Sequence, residues 1–249
     1  MTDETTPTSE NVLNEVDTYG PAYMRIAERL GGYDSTGEDA AAMIELLDLR
    51  PGTTVVDAGC GFGRYCAALL EHGMEATGID ISPAAIAEAE KRSPGPRYLV
   101  ADLTRPLPDD VGPFDVLVNL YSSYGYGATE AEDLDMLRAF HAMVKPGGKI
   151  VMQLSDLARS RHRLRTDEGV VVRDTNGVTE TLDVDFSTGR LHVRYELDGD
   201  VVHSRIRMYE QERLEQMLRD VGFSDVQAYG DFSGAPKRPE DRLVLVATA

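Results

Sequence analysis

Residues Thr54 to Ser82 read TVVDAGCGFGRYCAALLEHGMEATGIDIS. The run opens on the apolar pair Val55-Val56 and turns through Asp57-Ala58-Gly59-Cys60-Gly61-Phe62-Gly63. It then follows a helical pattern to about Gly73 and closes a second short strand at Asp80. This is a strand, turn, helix and strand in series, with an acidic residue closing each strand. Glycine suits the first turn because the backbone must bend sharply and a ligand can come close only where no Cβ stands in the way.

Such glycines also occur in tight turns of purely structural purpose, so the details decide. Asp57 stands just ahead of the glycines, and the spacing Gly59-x-Gly61-x-Gly63 departs from the G-x-G-x-x-G of a pyrophosphate cradle. Asp80 lies at the distance downstream that suits a carboxylate accepting from two ribose hydroxyls. A ligand made of adenine, ribose and a cationic amino-acid tail needs carboxylates and close backbone, and no phosphate nest. Here the chain resembles the class I S-adenosylmethionine-dependent methyltransferases, whose first motif is D-x-G-x-G-x-G, matched by Asp57 to Gly63. The resemblance implies an α/β, Rossmann-like seven-stranded sheet with an antiparallel β insertion after the fifth strand. It further implies S-adenosyl-L-methionine as cofactor and methyl transfer to a small molecule of secondary metabolism. An O- or C-methyltransferase of a small metabolite, a non-catalytic protein that senses the cofactor, and a dehydrogenase are the competing readings.

The 249 residues suffice for one α/β domain with a sizeable core. A formal net charge of -18 repels polyanions, and no basic run relieves it, which argues against nucleic acid as a partner. Cys60 and Cys66 are the two cysteines and read as reduced, small core residues; neither a metal site nor a disulfide framework is expected. The polar, acidic start MTDETTPTSEN is unlike a secretory signal, and no apolar run reaches a membrane-spanning length. A soluble cytoplasmic protein is therefore expected, without membrane partner, and with a homodimer as one assembly to look for.

Residues 1–11 are expected to be a disordered tail. Residues 12–154 and 209–249 are read as the cofactor-binding domain, and 155–208 as an inserted antiparallel subdomain capping the substrate. From Val12 to Leu30 apolar residues recur at helical spacing, interrupted by Gly20-Pro21. In the family it resembles, such an aromatic leader often folds over the cofactor, with a segment like Tyr23-Met24-Arg25 near its carboxylate. Arg25 or a tyrosine hydroxyl could bind that carboxylate. Tyr19 and Tyr23 packing on the core is the alternative. A helix is expected over 39–49, and Ser82-Pro83 reads as an N-cap followed by a first-turn proline. Ile81 would then support an adenine ring. Asp102-Leu103, at the end of the strand 97–100, is assigned by the resemblance to the adenine amine; a simple turn aspartate is the alternative.

Phe114 to Leu120 is a continuous apolar strand, and Asn119 at its end faces the carboxyl edge where open α/β sheets bind ligands. The sequence there, Asn119-Leu120-Tyr121-Ser122, lacks the Asn/Asp-Pro-Pro-Tyr/Phe motif of enzymes that methylate nucleic-acid amines. The following Ser122-Ser123-Tyr124-Gly125-Tyr126-Gly127 resembles the S-S-F-G-Y loop of a small-molecule subgroup. Its rings can line an acceptor pocket and attract a cation, or pack beneath the sheet edge. A helix over 133–144 is stopped by Lys145-Pro146-Gly147-Gly148, read as a turn before the strand 149–154. Four period-two runs, 169–174, 178–186, 190–197 and 201–208, then make a small antiparallel sheet. On the last, His203, Arg205, Arg207 and Tyr209 share one side, read as solvated. A helix over 210–221 and strands over 223–232 and 241–248 complete the chain.

Methyl transfer asks the protein to align donor and nucleophile and to exclude water, since the donor brings its own leaving group. An amine must arrive neutral, which needs only a modest base; a hydroxyl needs more. The five histidines are scattered through the sequence, none in a strand-end loop of the α/β part. That mildly favours an amine acceptor. Tyr19, Tyr121, Tyr124 and Tyr126 are the candidate acceptor-pocket residues, with Asp156 and Arg165 as outside candidates. Tyr23, Arg25, Asp57, Gly59, Gly61, Asp80, Ile81, Asp102, Leu103 and Asn119 are those for the cofactor, and no general base is assigned.

Overall fold

A computed structural model of the chain describes residues 18–31, 34–105, 107–108, 111–164 and 169–249. The expected tail, the helical pattern before Thr18 and Arg165 lie outside the described residues.

The stretch from Thr54 folds as β1 (Thr54–Ala58), α3 (Arg64–Glu71) and β2 (Glu75–Asp80). Around it stand α1 (Pro21–Arg29), α2 (Thr36–Leu47), α4 (Pro83–Arg92), β3 (Arg97–Val100), β4 (Phe114–Asn119), α5 (Glu130–Met143) and β5 (Val144–Leu154). Next come α6 (Leu157–Leu164), β6 (Gly169–Thr175), β7 (Val178–Asp185), β8 (Arg190–Leu197) and β9 (Asp200–Arg207). The chain ends in α7 (Gln211–Asp220), β10 (Ser224–Tyr229) and β11 (Leu243–Thr248). One sheet has the order β10-β11-β5-β4-β1-β2-β3, and β6 to β9 form a second in sequence order. In the first sheet β1 to β5 pair in parallel, while β11 runs antiparallel to both β5 and β10.

The inner strands β1, β4 and β11 are buried almost throughout because helices cover both faces, while the edge strands β3 and β10 are partly exposed. Along β4 successive side chains alternate: Leu117 meets Leu137 and Phe140 of α5 and Met217 of α7 on one face. Val116 and Val118 meet Met43 of α2 and Leu69 of α3 on the other. Strand order reverses between β1 and β4, which opens a crevice at their carboxyl ends.

Ser82 caps α4 as expected, its Oγ accepting from Ala85 N at 3.2 Å, and Pro83 opens the helix. The helix α5 starts at Glu130 rather than 133. Thr129 caps it through Glu132 N at 3.3 Å, and three acidic residues in the first turn favour the dipole. The Lys145-Pro146-Gly147-Gly148 segment is not a free turn. It belongs to β5, with Val144 opposite Phe114, a register shift, and Gly147 at φ 78°. Gly148 is required there, since a Cβ would stand 2.7 Å from the Asp115 carbonyl oxygen.

All four strands expected between 169 and 208 are present, but the insertion begins with helix α6, which the period-two reading lacks. Asp156 caps that helix by accepting from Arg159 N at 3.0 Å. Two hairpin turns carry paired positive φ angles, at Asn176-Gly177 and Asp198-Gly199, as two-residue turns demand. The leading helix α1 docks on this second sheet: Ile26 is fully buried against Val178, Leu197 and Val202.

Candidate active site

A cavity of about 540 Å³ opens at the carboxyl ends of β1, β2 and β4. Its floor is the glycine turn. Gly59 has φ 85°, and a Cβ there would lie 2.8 Å from that of Ser123, so only glycine lets the two loops close together. Gly61 has φ 53°, and a Cβ on it would meet nothing within 4 Å, so its backbone faces open cavity. Asp80 is buried beside it, accepting from Gly61 N at 2.8 Å and from Ser82 N at 2.9 Å. Both bonds leave lone pairs for a ligand.

Asp57 lies deeper. Burial pushes its carboxyl up to about 7, the Arg64 guanidinium opposing and the Asp80 charge adding to the rise. Burial likewise raises Asp80, against the backbone hydrogen bonds that hold it ionised. Ile81 is 42 % exposed and lines the wall with Asp102 and Leu103. Asp102 is both things the sequence allowed: it faces the cavity and holds a turn, accepting from Thr104 N at 2.9 Å.

Tyr19, Tyr23, Tyr121 and Tyr126 line the same cavity. Tyr19 packs edge-on against Tyr23 at 4.9 Å and Tyr126 at 5.6 Å, and Tyr23 meets Tyr195 of the second sheet at 6.1 Å. The Tyr19 hydroxyl bonds Ser204 Oγ at 2.8 Å. Burial raises the Tyr19 and Tyr126 phenols, so both are neutral hydroxyls.

Three expected site residues sit elsewhere. Tyr124 is buried outside the cavity lining, its hydroxyl donating to the Asp133 carbonyl at 2.8 Å. Arg25 is half-exposed and ion-paired with Asp200 of the second sheet, away from the lining. Asn119 is a strut beneath the floor, donating to Ala58 O at 2.7 Å and Ser123 O at 2.9 Å, with a buried Oδ1 that has no partner among the described residues. Asp156, an outside candidate, is buried in an ion pair with Lys237 at 3.0 Å.

The structure also brings in residues that sequence spacing missed. Arg64 lines the cavity and lies over the Tyr121 ring at 4.7 Å. Asp133 lines it too, accepting from Gly127 N at 2.8 Å, Tyr209 Oη at 2.6 Å and Arg207 at 2.6 Å. Arg207 and Tyr209 are thus engaged with α5 and not solvated. Two histidines read as scattered also meet, His192 and His203, with ring nitrogens 3.1 Å apart on the outer face of the second sheet. A separate cleft of about 260 Å³ at the opposite sheet edge holds the Asp115–Lys145 ion pair at 2.7 Å, which needs no ligand.

Residues 55–148 match a family model described as a methyltransferase domain. The fold is similar to that of the CcbJ methyltransferase of Streptomyces caelestis. That structure superposes with a TM-score of 0.78 at 17% identity, covering 94% of this chain and 99% of that one. Residues 55–148 are thus similar to a methyltransferase domain, and the sequence resemblance to the class I S-adenosylmethionine-dependent methyltransferases points the same way.

Among curated relatives, phosphoethanolamine N-methyltransferase 3 of Arabidopsis thaliana is 27% identical over 88% of this chain, which spans 39% of that protein. Glycine/sarcosine N-methyltransferase of Parasynechococcus marenigrum is 24% identical over 93% of this chain and 86% of its own length. The glycine-turn residues fit the S-adenosylmethionine that the sequence resemblance implies: bare backbone at Gly59 and Gly61, a carboxylate with spare lone pairs at Asp80, and an aliphatic rest at Ile81. Among the described residues no helix is long and apolar enough to cross a membrane.

Proposed function

We propose that this methyltransferase moves a methyl group from S-adenosyl-L-methionine to the nitrogen of a small-molecule amine of secondary metabolism. One observation carries the reading: the tyrosines and the Gly59–Gly61–Asp80 cradle line a single cavity. When bound, the cofactor supplies a sulfonium-activated methyl group and its own thioether leaving group. The chain has the remaining work. Asp80 is placed for the ribose hydroxyls, Asp102 and Leu103 for the adenine edge, and Asp57 for the cationic end. Tyr19, Tyr121 and Tyr126 offer ring faces that favour positive charge at the transfer point. The helix α1 and the second sheet, which we take as a substrate-capping subdomain over 155–208, keep water out.

The amine preference follows from what the cavity lacks. Among the described residues its lining contains no histidine, and burial raises the Tyr19 and Tyr126 phenols, so no strong base faces the acceptor. An amine sheds its proton on desolvation, whereas an aliphatic hydroxyl would need that base. The names of the two curated relatives, both N-methyltransferases, point the same way. With a net charge of -18 the enzyme is expected to act on a small molecule and not on nucleic acid, and its two cysteines, read as reduced, suit the cytoplasm.

The test is incubation of the purified protein with cofactor and matched panels of amines and phenols, read by mass spectrometry. Methylated amines are expected. Turnover confined to phenols would move the reading to O-methylation, and cofactor binding without turnover on any acceptor would leave a non-catalytic binder.

A further inference from the structure

Behind Tyr121 the structure gathers positive charge that the described residues do not balance. Arg159 of α6, Arg163 one turn on, and Arg242 just before β11 make no ion pair with any described carboxylate. The acidic groups around them are spoken for: Asp156 by Lys237 at 3.0 Å, Glu180 by Arg173 through two bonds of 2.5 and 3.0 Å, and Asp241 by Arg238 at 2.9 Å. In a chain of net charge -18, three such guanidiniums at the carboxyl edge of the sheet are against the trend.

The patch is held in place by the ends of two neighbouring strands. Tyr121 and Ser122, after β4, both adopt positive φ, 58° and 66°, a strained state for a residue as bulky as tyrosine. Ser122 Oγ accepts from Ser155 N, after β5, at 2.9 Å and from Arg242 at 3.3 Å. Ser155 Oγ accepts from Arg159 at 3.3 Å. Arg242 also lies over the Tyr121 ring at 4.3 Å, while Arg64 covers it from the cavity side of the site at 4.7 Å. Each guanidinium has five N–H donors, and these bonds leave most of them unused. Burial and the neighbouring charges of Arg242 and Arg163 push Arg159 down to about 10, the direction an oxyanion would reverse.

We propose that Arg159 and Arg242, with Arg163 adding charge, form an oxyanion subsite beside Tyr121 that takes a carboxylate or phosphate group of the methyl acceptor. The inference rests on the methyl-transfer reading and narrows it: the acceptor is an amine with an anionic group at its far end. Guanidinium forks suit both oxyanions because their paired donors match two oxygens at once.

The test separates the two readings by binding alone. Wild-type protein is first titrated with S-adenosylhomocysteine; failure there sinks the cofactor reading itself. The saturated complex is then titrated separately with acetate and with inorganic phosphate, in wild type, Arg159→Gln, Arg242→Gln and the control Arg161→Gln. Arg161 sits on the same helix but pairs with Glu210 at 2.5 Å, so it removes equal charge without touching the patch. At least one of the two anions should bind wild type and Arg161→Gln, and bind about tenfold or more weakly in the other two variants. Which anion binds tells carboxylate from phosphate. Neither binding wild type, equal weakening by Arg161→Gln, or weakened S-adenosylhomocysteine binding in Arg159→Gln and Arg242→Gln would overturn the proposal. Circular dichroism checks folding, and Arg→Lys at either position, which keeps the charge but not the fork, should recover part of the affinity.

Discussion

Asp57 and Asp80 are two carboxylates of one cradle with different work, and each makes a prediction. Asp80 keeps two backbone N–H partners and has lone pairs to spare, so Asp80→Ala should weaken S-adenosylmethionine binding by about 1.5–3 kcal/mol, the range for hydrogen bonds to a charged group. Calorimetry reads this directly, and unchanged affinity would mean the ribose contact is misassigned. Asp57 titrates near 7 in the folded protein against an ordinary value of 3.8. Between those limits the folded state holds a proton that the unfolded chain has lost, so ligand-free stability from this group falls as pH rises from about 4 to about 7. A cationic ligand prefers the ionised form, so cofactor affinity should rise over the upper part of the same window. Both slopes should flatten in Asp57→Asn, as seen by denaturant midpoints and by titration at several pH values. Tyr124 and Tyr126 show where reading by residue type stops. They stand two positions apart in one loop, yet one is buried under α5 and the other lines the cavity. Gly125 between them has φ 94°, so neither strand nor helix periodicity applies.

At the scale of elements, the loop 122–127 is fastened to β9 and α5. Arg207 N donates to Gly125 O at 2.6 Å, and a Cβ on Gly125 would stand 2.2 Å from the Arg207 carbonyl oxygen. Gly125→Ala should therefore force the loop off the second sheet, costing about 1–3 kcal/mol of stability. Methylation should fall by a larger factor than cofactor affinity, and equal losses would deny the loop a place on the acceptor side. Most elements were legible because buried strands are continuously apolar, exposed hairpins alternate, and caps such as Ser82-Pro83 are local. The helix α6 was not: LARSRHRL is too short and polar to show a stripe, and its cap, Asp156, reads equally as a loop residue. The same limit hid half the site. Strand-end carboxylates are written in one motif, whereas Arg64, Asp133 and Ser204 reach the cavity or its tyrosines only through packing between distant segments.

Taken whole, the proposed function sets the donor cradle on the large sheet and a tyrosine-bearing lid on the small one. Ile26 ties α1 to Val178, Leu197 and Val202, while Tyr19 and Tyr23, ahead of it, face the cavity. Ile26→Ala should cost about 2–5 kcal/mol, as buried large-to-small changes do, and should also raise the KM for cofactor by loosening the lid. A stability loss with unchanged KM would show that α1 takes no part in closure. The central claim is that the crevice between β1 and β4 holds an adenosyl sulfonium. It is tested most directly by calorimetric titration of the purified protein with S-adenosylhomocysteine. Saturable binding at one site per chain is the predicted result, and no detectable binding at millimolar concentration would contradict it.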